Sequence, residues 1–127
     1  MIPWDLEDWI IEVGHTVVER QTSGSGDLPP LDNFLYEIWL LDTETRNGGL
    51  SQYFFNRGIS QWRSCVSASI SNGLSNFAPF ASVVDTIISD ATEPGEAIID
   101  AGSSEDIWLA HQEAVVRQLR ELHRGAP

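Results

Sequence analysis

Apolar residues recur three or four places apart along most of the chain, the spacing that places them on one face of an α-helix. In residues 3–22 this apolar stripe consists of Leu6, Trp9, Ile10, Val13 and Val17. In residues 29–47 it consists of Leu31, Phe34, Leu35, Ile38 and Leu41. No stretch alternates apolar and polar residues with the period of a half-buried strand, so the pattern predicts helices alone.

Glycine, proline and capping residues divide the rest of the chain into further predicted helices. Their ranges are 50–56, 61–72, 77–90 and 104–124. The stripes of the last three are Trp62, Val66 and Ile70; Phe77, Phe80, Ala81, Val84 and Ile88; and Trp108, His111, Val115, Leu119 and Leu122. Gly58 closes the helix over 50–56 as a left-handed residue.

The segment between the last two helices, residues 91–102, contains Pro94-Gly95 and predicts a loop with one short helical turn at 96–99. The whole pattern predicts an all-α fold, a compact single domain of five to six helices. Within it, residues 1–27 form an acidic N-terminal helix and a Gly/Ser connector, and residues 28–127 form the helical core.

The chain carries 19 acidic and 7 basic residues, a formal net charge of −12. The charges are grouped, because residues 1–45 and 85–106 are strongly acidic, whereas residues 46–84 contain Arg and no acid. Such a field repels nucleic acid and anionic membranes and attracts basic protein surfaces. Solubility alone is the competing explanation, since net negative charge keeps small proteins apart in solution.

Four acids share one face of the first predicted helix: Asp5, Asp8, Glu12 and Glu19. Side chains three or four residues apart on a helix are neighbours, so these carboxylates form a ladder that can stand in for phosphates. The first turn also favours acids because they complement the helix dipole, but that explanation does not cover Glu12 or Glu19. The second helix adds Glu37, Asp42 and Glu44. We predict that these seven carboxylates contact a basic partner.

Residues 47–56 read Asn-Gly-Gly-Leu-Ser-Gln-Tyr-Phe-Phe-Asn, and the glycine pair predicts a tight corner between two helices. The defining positions of this motif are Asn47, Gly48, Gly49, Gln52, Tyr53, Phe54 and Asn56. We expect its amides to serve the fold, with Asn47 in a turn, Gln52 bonded to backbone and Asn56 capping a helix end. A polar binding site formed by the three amides is the alternative.

The pattern Asn-Gly-Gly-x-x-Gln-aromatic-aromatic-x-Asn resembles the signature of a bacterial helical family described as a domain of unknown function, and the likeness extends from about residue 28 to residue 89. Its best-known member is a DNA-mimic protein that binds a helix-turn-helix transcription factor. The resemblance implies an acidic, helical, dimer-forming protein that binds another protein. Family members often have Phe where this chain has Leu50.

Charge and resemblance together predict an acidic protein-binding module of the DNA-mimic kind. Its partner would be a basic protein, such as a helix-turn-helix transcription factor, and neither nucleic acid nor a membrane. The same surface suits an immunity-type protein that neutralises a cationic toxin. A small hydrolase that uses Cys65 or His111 is the third alternative. Trp4, Trp39 and Trp62 are candidates for an exposed interface anchor.

Other chemical signals are weak. The three histidines lack the spacing of a metal site, and no glycine-rich phosphate loop is present, so we expect neither a metal nor a cofactor. The single Cys65 excludes an intramolecular disulfide and is expected to be a buried structural thiol. No signal pattern or membrane-length apolar run is present, and the expected location is the cytoplasm.

Overall fold

Six α-helices make up the secondary structure of residues 3–22, 30–89, 91–101 and 104–125, the part of the chain that the computed structural model describes. They are α1 (Trp4–Thr22), α2 (Pro30–Gly48), α3 (Leu50–Ser71), α4 (Phe77–Ile88), α5 (Pro94–Asp100) and α6 (Ser104–Gly125). The first helix packs on α2 and α6, and α3 packs on α2, α4 and α5. No strand occurs in these ranges, and the predicted all-α class is confirmed.

Aromatic side chains from four helices form the centre of the core. Trp62 of α3 packs against Phe80 of α4 with ring centroids 5.7 Å apart, and Phe80 packs against Trp108 of α6 at 5.0 Å. Phe34 of α2 reaches Phe77 of α4 at 5.8 Å. Each edge-to-face pair adds about 0.5–1.5 kcal/mol to what the buried area contributes. The apolar stripes of α2 and α4 are therefore confirmed as core-forming, and all five predicted stripe positions of α4 are buried.

The third helix joins two segments that the sequence predicts as separate helices. Gly58 interrupts it with φ 84° and ψ 170°, a conformation that favours glycine because a Cβ is strained there. The interruption lies where the sequence predicts it, but helical geometry resumes at once. As a result Phe54, before the break, and Trp62, after it, meet at 5.6 Å.

Three predicted positions differ from the structure. Ile70, expected on the buried side, is 76% exposed, because the end of α3 leaves an open groove beside α4. Trp62 is fully buried and is therefore not an interface anchor, whereas Trp4 is 76% exposed. The turn predicted at 96–99 is a complete short helix, α5, because Pro94 occupies its first turn and Ile98 is buried beneath it.

Candidate protein-binding surface

The acidic ladder of α1 lies on the outside of the molecule. Asp5, Asp8, Glu12 and Glu19 are all exposed, and at 3.6 residues per turn they fall within an arc of about 60°. Asp5 forms a loose ion pair with Arg120 of α6, with 3.4 Å between Oδ2 and Nη1. In the part of the chain that the structure describes, neither Asp8 nor Glu12 has an ion pair. The structure therefore brings these predicted residues together on one accessible face.

Asp42, by contrast, is buried, with 4% of its surface exposed. Its Oδ1 accepts hydrogen bonds from the indole Nε1 of Trp108 at 3.0 Å and from Nε2 of Gln112 at 2.6 Å. Its Oδ2 lies 3.1 Å from Nε of Arg46. A carboxylate held by three donors in the interior fastens α2 to α6. We therefore remove Asp42 from the predicted contact set.

Arg46 extends this network to the first helix. Its Nη1 lies 2.5 Å from Oε1 of Glu7, so one guanidinium bridges the carboxylates of α1 and α2. Burial lowers the pKa of Arg46, but its hydrogen bonds to Glu7 and Asp42 and the charges of both carboxylates raise the pKa overall. Arg46 therefore stays charged, and its charge is balanced locally.

Glu37 also points inward, toward α3. Its Oε1 forms an ion pair with Arg57, and its Oε2 accepts a hydrogen bond from the hydroxyl of Tyr53 at 3.3 Å. The Glu37 side chain is only 13% exposed. Burial, with smaller contributions from the charges of Cys65 and Glu37 and the hydrogen bond to Glu37, raises the pKa of Tyr53 far above its ordinary value. Glu37 thus links α2 to α3, and little of its side chain is exposed to a partner.

Glu44 is the hydrogen-bond partner of two amide side chains in the motif over 47–56. Its Oε2 accepts hydrogen bonds from Nε2 of Gln52 at 2.7 Å and from Nδ2 of Asn56 at 2.6 Å. Gln52 and Asn56 therefore serve the fold, but their partner is a carboxylate and not the backbone or helix end that the sequence predicts. Asn47, predicted in a turn, lies within α2. A carboxylate one turn before the corner holds both amides, and Asn47 is exposed.

The glycine pair makes this arrangement sterically feasible. A Cβ added to Gly48 would lie 1.9 Å from Oε1 of Gln52, so the amide occupies the space that any larger residue would need. Gly49 has φ 85°, which turns the chain from α2 into α3. The motif is therefore a structural lock between two helices. It shows no exposed triad of amides arranged as a site.

An open cleft between α1 and α2 has a volume of about 410 Å³. The sequence contains no pattern that predicts this cleft. It is lined by Ile11, His15, Trp39, Asp42, Thr43, Arg46 and Asn47. Ile11 is the one clue in the sequence, since it lies off the apolar stripe of its helix. It is 40% exposed and borders the acidic ladder.

A larger groove, of about 850 Å³, separates the end of α3 from α4. Small side chains line it, among them Ser69, Ala78 and Ser82, and Ile70 stands beside them. Asp85 is the single acid among its lining residues, and its Oδ1 accepts a hydrogen bond from the indole of Trp62 at 2.8 Å. The groove belongs mostly to the acid-free stretch over 46–84.

Cys65 and His111, the two candidate catalytic residues, lie in surroundings typical of residues that serve the fold. Burial, with a smaller contribution from Glu37, raises the pKa of the Cys65 thiol well above its ordinary value of 9.0, the opposite of what a nucleophilic cysteine requires. His111 is half-buried, with Nδ1 3.0 Å from the carbonyl of Ile107 and its ring against Phe80. Within the described ranges no cluster of three His, Cys, Asp or Glu residues is placed to hold a metal ion.

None of the helices in the described ranges has the length and apolar character needed to cross a lipid bilayer. The fold and the surface define an acidic all-α protein in which Glu37, Asp42 and Glu44 of α2 are held within the fold, whereas Asp8 and Glu12 of α1 are exposed. The chain belongs to the DMP19-like protein family, which matches residues 26–122 and is a family of DNA-mimic proteins, as the motif over 47–56 predicts. No curated protein and no solved structure matches it significantly.

Proposed function

We propose that this protein binds a basic, DNA-binding protein through the exposed carboxylates of α1 and so competes with DNA for that partner. The single observation that carries the proposal is the division of the acids. Glu37, Asp42 and Glu44 of α2 are held by Arg, Trp, Tyr or amide donors of the fold. Asp8 and Glu12 of α1 are exposed and have no ion pair among the described residues. If the acids served solubility alone, there would be no need for paired carboxylates on α2 and exposed carboxylates on α1.

Spacing along α1 supports partial imitation of one DNA strand. Asp5 and Glu19 are 14 residues apart, which at 1.5 Å per residue is about 21 Å. One strand places a phosphate every 3.4 Å along the axis, so about seven phosphates would occupy that length. The four carboxylates of the ladder stand along that length, and one of them, Asp5, shares its charge with Arg120. Electrostatic attraction to α1 therefore gives fast, salt-sensitive association but limited discrimination between basic partners.

The proposal places the contact surface outside the family match, since α1 ends at Thr22 and the match begins at residue 26. The family membership supports binding of a DNA-binding protein, and α1 supplies a surface particular to this chain. The proposed activity is binding without catalysis. A helix-turn-helix transcription factor is the partner that the family suggests, and a cationic toxin is the alternative.

Partner capture with matched charge variants tests this function. The wild-type protein and Asp8→Asn/Glu12→Gln are immobilised at low ionic strength, exposed to lysate and eluted with salt. The control, Glu113→Gln/Glu121→Gln, changes the net charge equally but alters two exposed ion pairs of α6. We expect one basic DNA-binding protein on the wild-type and control columns, displaced by duplex DNA and depleted on the α1 variant.

Equal capture on the α1 variant would contradict the proposed surface. A captured toxin whose activity is blocked would transfer the same surface to the immunity function. Binding that duplex DNA leaves undisturbed would contradict mimicry.

We also propose that two copies associate through the groove between α3 and α4. Like charges disfavour contact between two chains of net charge −12 on most faces. The groove is an exception, because Asp85 is the single acid of its lining and the indole of Trp62 donates a hydrogen bond to that carboxylate. Ile70, 76% exposed at the rim, provides an apolar projection for the groove of a second copy. Such a reciprocal contact is the usual form of a homodimer interface.

A further inference from the structure

We propose that the cleft between α1 and α2 receives one large apolar side chain of the basic partner, so that recognition requires an apolar anchor flanked by cations. This inference rests on the function proposed above and deepens it, because it states what the partner must present besides positive charge. The carboxylates of α1 alone attract any basic surface. An adjoining pocket allows the protein to discriminate between basic surfaces that present a fitting apolar side chain and those that do not.

The indole of Trp39 forms the floor of the cleft. It lies directly on the backbone of α1 at Gly14, where an added Cβ would be 2.0 Å from its Cδ1. The ring of Tyr36 stacks on Trp39 at 6.5 Å, and the ring of His15 meets it edge-on at 6.1 Å. The aromatic floor is therefore fixed from two sides before any partner arrives, which reduces the entropy cost of binding.

Arg46 forms a wall of the cleft without repelling a cationic partner. Its guanidinium is bound to Glu7 on one side and Asp42 on the other, so its charge is compensated within the fold. Trp108 and Gln112, which donate hydrogen bonds to Asp42, hold that carboxylate in place. The cleft thus joins the apolar surface of Ile11 and Trp39 to polar walls. The charges of Arg46 and Asp42 in those walls are paired within the fold, so an apolar side chain can enter without leaving a charge unpaired.

The acids border the cleft at the position that flanking cations require. At 100° per residue, Asp8 is about 20° from His15 and about 60° from Ile11 around α1. Trp4, 76% exposed, is about 20° from Ile11 and extends the apolar edge by two turns. A partner helix with Lys or Arg three or four residues from its anchor has those cations about 5–6 Å away from it. Asp8 has this separation from Ile11 at the edge of the cleft, because the two residues lie three positions apart on α1.

Two synthetic peptides provide the probe. Both are helical, rich in Ala and Arg and labelled with fluorescein, and they differ at one central position, which is Leu in one and Ser in the other. Binding to the full chain is measured by fluorescence anisotropy at low and moderate ionic strength. We expect the Leu peptide to bind about tenfold more tightly than the Ser peptide, the effect of burying one anchor side chain.

Variants assign that difference to the cleft. Ile11→Ser removes an edge of the pocket, and Thr43→Trp fills it from an exposed lining position, so each should abolish the preference for the Leu peptide. Ile99→Ser is the matched control, since it removes an isoleucine that is 52% exposed on α5. Asp8→Asn/Glu12→Gln should weaken both peptides equally. The indole N–H resonance of Trp39 should shift with the Leu peptide and not with the Ser peptide.

The outcomes separate the two proposals. The anchor proposal would be overturned if the two peptides bound the wild type equally, or if the preference for Leu survived both Ile11→Ser and Thr43→Trp. If binding in that case were still salt-sensitive, the proposed acidic surface would be retained. Absence of binding by either peptide at low ionic strength would overturn both.

Discussion

The indole of Trp108 on α6 donates a hydrogen bond to the carboxylate of Asp42 on α2, 66 residues earlier in the chain, at 3.0 Å. Both side chains are buried, and Gln112 and Arg46 share the same carboxylate. Because Arg46 also binds Glu7, the network extends over three helices. An acid that the sequence assigns to the surface is in this way one of the polar centres of the fold.

Asp42→Ala should lower the free energy of unfolding by about 2–4 kcal/mol, because it leaves the Trp108 and Gln112 donors and the Arg46 charge without their acceptor. The ion pair with Arg46 contributes only a small part of this change, because Arg46 is one-third exposed and water screens its charge. Urea unfolding followed by circular dichroism measures the change. Asp8→Ala, at an exposed position of α1, is the control and should leave the unfolding midpoint in place. Similar curves for both variants would contradict the role given to Asp42.

Stability should fall as the pH rises above about 9. Cys65 and Tyr53 have pKa values raised above their ordinary 9.0 and 10.0, mainly by burial, so the folded state keeps protons that the unfolded state releases. Each group therefore removes up to about 1.4 kcal/mol per pH unit once its unfolded pKa is passed. Chemical denaturation at a series of pH values measures the slope. Cys65→Ala should remove the part that begins near pH 9, and an unchanged slope would show that the thiol does not contribute.

Gly48→Ala should destabilise the protein by no more than about 1 kcal/mol, because displacing the Gln52 amide breaks its hydrogen bond to Glu44 while alanine favours the helix. The comparison is Gly125→Ala, where an added Cβ meets no atom within 4 Å. A double-mutant cycle sharpens the test. In a Gln52→Ala background the clash is absent, so Gly48→Ala should cost little there. Equal costs in both backgrounds would exclude the Gln52 contact as the cause.

Ile70→Ser should weaken the proposed dimer at least about tenfold, since it removes the exposed apolar side chain that enters the groove of the second copy. Sedimentation equilibrium over a range of protein concentrations gives the dissociation constant. Ile99→Ser removes an isoleucine of similar exposure on α5 and should leave that constant unchanged. A monomeric wild-type protein at high concentration, or equal effects of the two variants, would exclude the groove as the interface.

Much of the fold could be predicted because it depends on local periodicity. The stripe of α4, with Phe77 and Phe80 among its members, predicts burial correctly, since a helix with one face against its neighbours needs a continuous apolar stripe on that face. The exposed end of α3 was missed at Ile70 for the same reason. Periodicity assigns a residue to a face of its own helix, but it does not say whether another helix reaches that far.

The candidate surface could be predicted only in part. The positions of the acids on α1 follow from their spacing, whereas the orientation of Asp42 depends on Trp108 and Gln112, which arrive from the last helix. The partners of Glu44 are only 8 and 12 residues away, yet Gln52 and Asn56 lie beyond a corner whose geometry the sequence does not define. The cleft arises between two helices and is a property of neither.

The acidic face of α1 makes no contribution to the central core, which Leu6 and Ile10 join from the opposite face of the same helix. Natural selection can therefore replace residues on the outer face without loss of foldability. The lock at Glu44 and the aromatic core leave no such freedom. Related chains with the same helices are expected to diverge fastest along this strip, so each lineage can acquire a new binding partner while its architecture is inherited unchanged.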